Sequence, residues 1–169
     1  LTRALGIKHP LIQGGMHYVG YAPLAAAVSN AGGLGLVTVL TQPSAEALRN
    51  EIQTTKALTT KPFGINLTLL PALQPPNYQE FADVVEDEMK SGQLRVVETA
   101  GHFKGLQPFV TQFKHAGAYV IHKCTTVRHA KSAAKMGVDM ISMDGFDCAG
   151  HPGETDIGNW VLFPKAARE

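Results

Sequence analysis

The sequence predicts an α/β fold, a TIM-type (β/α)8 barrel of which about the first six βα units are present. Short apolar segments alternate with amphipathic segments in units of about 25 residues, which suits either a barrel or a doubly wound parallel sheet. The barrel is favoured because polar residues stand at the carboxyl ends of several predicted strands, where barrel enzymes carry their sites. These residues are Gln13, Asn66, Glu98, Lys123 and Asp144.

The predicted elements follow from hydrophobic period and from cap residues. Ser44 is a suitable N-cap for "AEALRNEI", and Gly137 is a suitable residue to end "TTVRHAKSAAKM". The strands are predicted at residues 11–14, 35–40, 63–69, 96–100, 119–123 and 140–144. The helices are predicted at residues 22–31, 44–54, 78–89, 106–116 and 126–136, with a further helix from about Asn159 and a loop in "TLLPALQPPN".

Glycine-rich segments give little support to a dinucleotide-binding sheet. "QGGM" forms a glycine-rich first turn and "GGLG" follows it, but neither is G-x-G-x-x-G. "GGLG" also precedes a strand, whereas the dinucleotide motif opens a helix.

The composition indicates a globular protein and excludes several functional classes. The 169 residues are 44% hydrophobic and 17% charged, with a formal net charge of +1 and no basic run, so nucleic-acid binding has no support. No apolar segment approaches the ~20 residues that cross a bilayer, and the N-terminus lacks a signal-peptide pattern. The two cysteines form no disulfide framework, which favours a cytoplasmic setting.

Chain length argues for an incomplete barrel. A barrel needs eight strands and typically about 250 residues, whereas six strands would leave two open edges. We therefore expect residues 1–169 to form a single, incomplete barrel domain, the first part of a longer protein.

The segment "MDGFDCAGHPGE" contains the strongest single candidate for chemistry, His151. Pro152 favours extended backbone at His151, and the neighbouring glycines allow a ligand to approach closely. A histidine just beyond a strand could act as a base near neutral pH, or it could be a turn residue. A metal site with Cys148 has less support, since no second ligand pair completes it. Asp147 and Glu154 are interpreted as solvated or turn-forming.

Other strand ends offer polar groups whose roles stay open at this stage. Lys123 ends a buried strand, so its ammonium must reach water, a carboxylate or an electron-rich ligand. Asn66 and Gln13 could bind a planar heterocycle through their amides or cap a loop, and Asp144 could accept from hydroxyl groups. His122 should point to the opposite face, towards the helices.

Five motifs in sequence order resemble the nitronate monooxygenase family, formerly called 2-nitropropane dioxygenases. They are "HPLIQGGM", "AGGLG", "PFGINLTL", "VIHKCTTVRHAKSAAKMGVD" and "SMDGFDCAGHPGE", and together they span nearly the whole chain. The resemblance implies an FMN-dependent TIM barrel that oxidises alkyl nitronates with O2 to a carbonyl compound and nitrite. It implies a nitronate and O2 as partners and is compatible with a homodimer, whereas the composition supports neither a membrane nor a nucleic acid as partner.

The resemblance also implies roles for residues at matching positions. His151 corresponds to the catalytic base or substrate-orienting group, Lys123 to a lysine at the flavin pyrimidine end and Asp144 to an acid near the ribityl chain. The full set of implied cofactor-binding residues is Gln13, Gly14, Gly15, Met16, Asn66, Lys123, Asp144, Ala149 and Gly150. The family holds the FMN phosphate in glycine-rich loops after later strands, so we expect this chain alone to bind FMN poorly.

Two rival interpretations remain at this point. An FMN-dependent enoyl-thioester reductase has a similar barrel and would take electrons from NAD(P)H. A non-functional fragment of a flavin barrel is the non-enzymatic alternative.

Overall fold

A computed structural model describes residues 1–69, 73, 75–101, 103–153 and 155–169. The strands are β1 (Gly35–Thr38), β2 (Phe63–Leu69), β3 (Leu94–Gly101), β4 (Tyr119–Cys124) and β5 (Met140–Met143). The helices are α1 (Thr2–Leu5), α2 (Ala22–Asn30), α3 (Ala45–Leu58), α4 (Tyr78–Met89), α5 (Phe103–His115), α6 (Val127–Lys135) and α7 (Asn159–Arg168), and a 3-10 turn covers Val39–Thr41.

The five strands form one parallel sheet whose spatial order equals the chain order. Every pair of neighbouring strands is parallel, and a helix lies between each strand and the next in the chain. This is the βα repeat that the sequence predicts, and it confirms the α/β class with a parallel sheet. All strand carboxyl ends therefore lie at the same edge.

Alternating residues divide the sheet into two faces. One face packs against α3, α4 and α5 in a large apolar core that includes Val37, Ile65, Val97 and Val120. The other face, which we call the inner face, carries a smaller cluster of Leu34, Leu36, Val96 and Ile121. Leu5 and Ile7 pack against this cluster. Towards the carboxyl ends of the strands the inner face becomes polar, and that change positions the candidate site.

The strand predicted at residues 11–14 is wrong in extent, because the structure has a single parallel bridge between Ile12 and Leu34. The backbone N–H of Gln13 donates to the Leu34 carbonyl at 2.9 Å. Beyond that point the side chain of Gln13, instead of further backbone, makes the hydrogen bonds with the neighbouring strand. Its Nε2 donates to the Leu36 carbonyl at 2.9 Å and its Oε1 accepts from the Leu36 N–H at 3.4 Å. The following glycines are thereby free to leave the sheet.

Most other boundaries differ by a few residues. The strand predicted to reach residue 40 ends at Thr38, where the 3-10 turn begins, and β3 begins at Leu94, two positions early. The short helix α1 was not predicted, and α5 begins at Phe103. Part of the predicted loop "TLLPALQPPN" lies outside the described residues, as does Glu154.

Polar contacts hold the helices in place. Ser44 caps α3 as predicted, accepting from the Ala47 N–H at 3.1 Å. Between α3 and α4, the buried carboxylate of Glu88 accepts from Arg49 at 2.8 Å, from Gln53 at 2.5 Å and from Lys56 at 2.5 Å. Burial acts to raise the pKa of Glu88, but these donors outweigh it and hold that pKa below its usual value. Within the described ranges, no helix has the length and apolar composition that a bilayer crossing requires.

Candidate functional site

A cleft of about 510 Å³ opens at the carboxyl ends of the strands. The predicted site residues that line it are Gly15, Met16, Asn66, Lys123, Asp144, Ala149, Gly150 and His151. Gln13 and Gly14 line an adjoining cleft of about 340 Å³, which shares Lys123 and Asp144 with the first. The fold therefore brings all the predicted site residues to one edge of the sheet, although they come from separate parts of the sequence.

The turn after Gln13 is held tightly at the cleft wall. The Met16 N–H donates to the Thr38 hydroxyl at 3.0 Å, and the Tyr18 N–H donates to Thr41 at 3.1 Å. Tyr18 has a φ of 58°, which is uncommon for a residue with a side chain. Its ring stacks on that of His17 with centroids 4.0 Å apart. The turn therefore presents Met16 and His17 to the cleft from a fixed backbone.

Gly15 is required by the close approach of a neighbouring strand. A Cβ at this position would lie 2.2 Å from Cγ of Asn66 and 2.4 Å from its Oδ1. A Cβ at Gly14, by contrast, would meet nothing within 4 Å. The second glycine of "QGGM" therefore lets the first turn pack directly on the Asn66 amide.

A charged and amide network lies on the inner face below the cleft. Nδ2 of Asn66 donates to Oε2 of Glu98 at 2.8 Å. The ammonium of Lys123 lies 3.9 Å from Glu98 and 3.5 Å from Asp144. The side chain of Lys123 is 26% exposed and that of Glu98 is buried, so the cation faces the cleft while one of its carboxylate partners lies beneath it. Burial raises the pKa of Glu98 above its usual value, opposed by the Lys123 charge and the Asn66 hydrogen bond.

His151 lies in a loop that is anchored to the start of α7. The Gly145 N–H donates to the Asn159 side chain at 2.7 Å, and the Asn159 N–H donates to Asp147 at 2.6 Å. Asp147 therefore stabilises the turn before α7, which agrees with the turn-forming role that is one of its two interpretations from the sequence. The Cys148 thiol donates to the backbone carbonyl of His151 at 3.1 Å, so its contact with His151 is to the main chain. His151 itself is exposed and lines the cleft.

His122 and Thr99 lie on the helix-facing side and are not among the residues that line the cleft. The Thr99 hydroxyl and Nδ1 of the buried His122 lie 2.9 Å apart. Burial, together with the charge of His129 on α6, lowers the pKa of His122 to about 4. His122 thus faces the helices, as strand alternation predicts.

Several lining residues have no predicted role. Thr68, Ala100, Gly101 and Thr125 contribute to the wall of the cleft, and Glu98 lies beneath it. The sequence places Glu98 among the polar strand-end residues but assigns it no role. The period-two register of β3, in which Val96, Glu98 and Ala100 share one face, is the signal that puts it on the inner face.

Comparisons with known proteins agree with this architecture. The chain is 36% identical over 165 residues to the (3aS,4S,5R,7aS)-5-hydroxy-7a-methyl-1-oxo-octahydro-1H-indene-4-carboxyl-CoA dehydrogenase of Mycobacterium tuberculosis, covering 98% of this chain and 43% of that protein. It is 30% identical over 206 residues to the nitronate monooxygenase of Paraburkholderia phytofirmans, covering 100% of this chain and 56% of that protein. The chain thus spans about half the length of the curated relatives that it matches.

Solved structures confirm the predicted fold class, a partial TIM-type barrel. FabK from Thermotoga maritima superposes with a TM-score of 0.84 at 30% identity, over 99% of this chain and 50% of that one. The nitroalkane oxidase of Streptomyces ansochromogenes superposes with a TM-score of 0.72 at 22% identity, over 90% of this chain and 50% of that one, and shows the fold alone.

The family model described as nitronate monooxygenase matches residues 1–168. That range includes the first glycine-rich turn, the strand ends and the His151 loop, which are the parts that the fold brings together at the cleft. The chain belongs to the nitronate monooxygenase family.

Proposed function

We propose that this chain provides the reaction cleft of an FMN-dependent oxidoreductase that oxidises alkyl nitronates with O2 to a carbonyl compound and nitrite. One observation supports this above the others. His151, Lys123 and Asn66 come from three separate segments and meet at one cleft of about 510 Å³. A base, a cation and an amide at one opening suit a substrate with an acidic C–H beside an electron-accepting ring.

The residues of the cleft fit the ring part of a flavin. The volume lies within the roughly 300–1,000 Å³ of small-molecule and cofactor sites. Lys123 and Asn66 offer polar contacts to a ring, and Met16 offers an apolar one. The space beside Gly150 is open, since a Cβ there would meet nothing within 4 Å. The cofactor, when bound, supplies a reversible electron acceptor that can pass electrons to O2.

The phosphate of FMN finds less support in this part of the protein. Among the described residues that line the cleft, Lys123 is the one Lys or Arg, and two carboxylates already surround it. We therefore propose that glycine-rich turns outside this chain hold the phosphate, as the family resemblance implies.

The side chains of the cleft would act at defined atoms of the substrate. His151 accepts the α-proton of a neutral nitroalkane, which leaves the nitronate anion with its negative charge on the nitro oxygens. For a substrate that is already a nitronate, His151 holds that charge and orients it. Lys123 would contact the ring of a bound flavin, where its ammonium would stabilise negative charge.

Kinetics of a full-length His151→Asn variant test this proposal. Nitrite release and O2 consumption should fall strongly with a neutral nitroalkane and much less with the preformed nitronate, because only the first substrate needs a proton removed. His115→Asn, on the exposed end of α5, is the matched control and should leave both rates unchanged. Small and equal losses with both substrates would refute the role of His151 as base.

A second candidate function, oxidoreduction of a CoA thioester, also has support from one of the relatives. The Mycobacterium tuberculosis relative is named as a carboxyl-CoA dehydrogenase and is 36% identical, against 30% for the Paraburkholderia nitronate monooxygenase. Anaerobic mixing with NAD(P)H separates the two candidates. Bleaching of the flavin by NAD(P)H and reoxidation by an α,β-unsaturated acyl-CoA would favour the thioester reaction, whereas bleaching by a nitronate alone would favour nitronate oxidation.

A further inference from the structure

We propose that Glu98 is the positioning residue of this site and that it fixes which end of the Asn66 amide faces a bound ring. In this arrangement Asn66 offers its carbonyl oxygen to the cleft and keeps its NH2 group towards Glu98. Taking the ring to be a flavin rests on the proposed function. The coupling between the Glu98 and Asn66 side chains does not depend on that function.

The orientation follows from hydrogen-bond chemistry. Glu98 and Asn66 are 3% and 5% exposed, and Nδ2 of Asn66 lies 2.8 Å from Oε2 of Glu98. An ionised carboxylate only accepts hydrogen bonds, so the amide end that faces it must be the NH2 group. The Thr68 hydroxyl, at the cleft wall, lies 3.3 Å from Oδ1 of Asn66 and donates to it, so the amide end that faces away from Glu98 also has a partner.

The charges around Glu98 come from every segment that surrounds it. Lys123 on β4 lies 3.9 Å away, and Asp144, after β5, shares the same ammonium at 3.5 Å. The backbone N–H of Gly15 donates to Glu98 from the first turn, and β2 contributes the Asn66 amide. The buried carboxylate of Glu98 therefore faces the Lys123 cation with Oε1 and the Asn66 amide with Oε2.

This arrangement selects a ring edge of a particular chemistry. A ring carbonyl would accept from the Lys123 ammonium, and an adjacent ring N–H would donate to Oδ1 of Asn66. An imide or lactam edge has this pattern, and the pyrimidine end of a flavin is one example. A protonated Glu98 could instead donate to the Asn66 oxygen, which would turn the NH2 group towards the cleft and oppose the ring N–H. Ring binding should therefore weaken as Glu98 is protonated.

Two measurements test the proposal. The first follows the Asn66 side-chain NH2 resonances of the flavin-free, full-length protein between roughly pH 4 and pH 8, assigned with Asn66→Ser. They should move with a single titration, and the movement should be absent in Glu98→Gln. The second measures FMN dissociation constants from flavin fluorescence. Glu98→Gln should weaken binding by roughly tenfold, Glu98→Asp should recover part of the loss, and the exposed Glu46→Gln should have no effect.

The outcomes separate this proposal from the proposed function. If the protein does not bind FMN but the Asn66 resonances follow Glu98, the flavin assignment fails and the positioning role stands. If FMN binds equally well to Glu98→Gln and the Asn66 resonances do not depend on pH, the positioning role is refuted and the flavin assignment stands. If Glu98→Gln does not fold, Glu98→Asp replaces it in the titration: the midpoint of the Asn66 shift should then differ from that of the unaltered protein, and an unchanged midpoint would refute the role of Glu98.

Discussion

Replacing Gly15 with alanine should destabilise the protein by about 1–3 kcal/mol. The added Cβ would lie 2.2 Å from Cγ and 2.6 Å from Nδ2 of Asn66, far inside contact distance. Asn66 cannot retreat freely, because its amide donates to the buried Glu98. Overpacking of this kind costs about 1–3 kcal/mol. If Asn66 instead rotates away, a buried carboxylate loses a hydrogen bond, which costs about 1–3 kcal/mol or more.

Urea unfolding followed by circular dichroism measures this difference, with Gly14→Ala as the neighbouring control. A Cβ at Gly14 meets nothing within 4 Å, and its φ is not positive, so Gly14→Ala should change the free energy of unfolding by less than about 0.5 kcal/mol. Equal free energies of unfolding for the two variants would show that the first turn does not pack on Asn66 as described.

Three further predictions concern buried groups away from the cleft. Glu88→Ala should cost about 3 kcal/mol in urea unfolding, because it leaves Lys56 without its carboxylate. The pKa of Glu88 in the folded protein lies below that of an ordinary glutamate. The carboxylate therefore contributes its full stabilisation at any pH above the ordinary pKa and loses it as the pH falls through the folded-state pKa. Glu88→Ala should lack this acid-dependent loss of stability. The His122 ring should show no titration between about pH 5.5 and 8 in NMR spectra, because its pKa is lowered to about 4. Burial, with the charge of Asp144, raises the pKa of Cys124 to about 12, so iodoacetamide at pH 8 should modify Cys148 and leave Cys124 intact in the folded protein.

The sequence predicts the fold well where hydrophobic period decides it. The segments around Ile65, Val97 and Val120 are short and apolar, which predicts buried strands. All three residues lie in the helix-facing core. The segment at residues 11–14 fails for a reason that the period cannot show. The Gln13 side chain makes the hydrogen bonds with Leu36 that the next backbone residue would otherwise make, so the ladder stops after one bridge.

The sequence predicts which strand ends and loops meet at the cleft, but it does not predict how their side chains are connected. Strand ends and the family motifs point to Asn66, Lys123 and His151, and the fold places them at one cleft. The role of Glu98 depends on its burial and on distances to side chains from the two neighbouring strands, which alternation along β3 does not supply. Similarly, the need for glycine at Gly15 is visible only once Asn66 is seen against it.

Binding of FMN to the full-length protein tests the central claim most directly. Titration followed by flavin fluorescence should show saturable binding of one FMN per chain. Lys123→Met should weaken that binding, whereas Lys131→Met, which removes a half-exposed cation that pairs with Glu169, should not. Absence of saturable binding, or equal weakening in both variants, would contradict the assignment of this cleft as the flavin site.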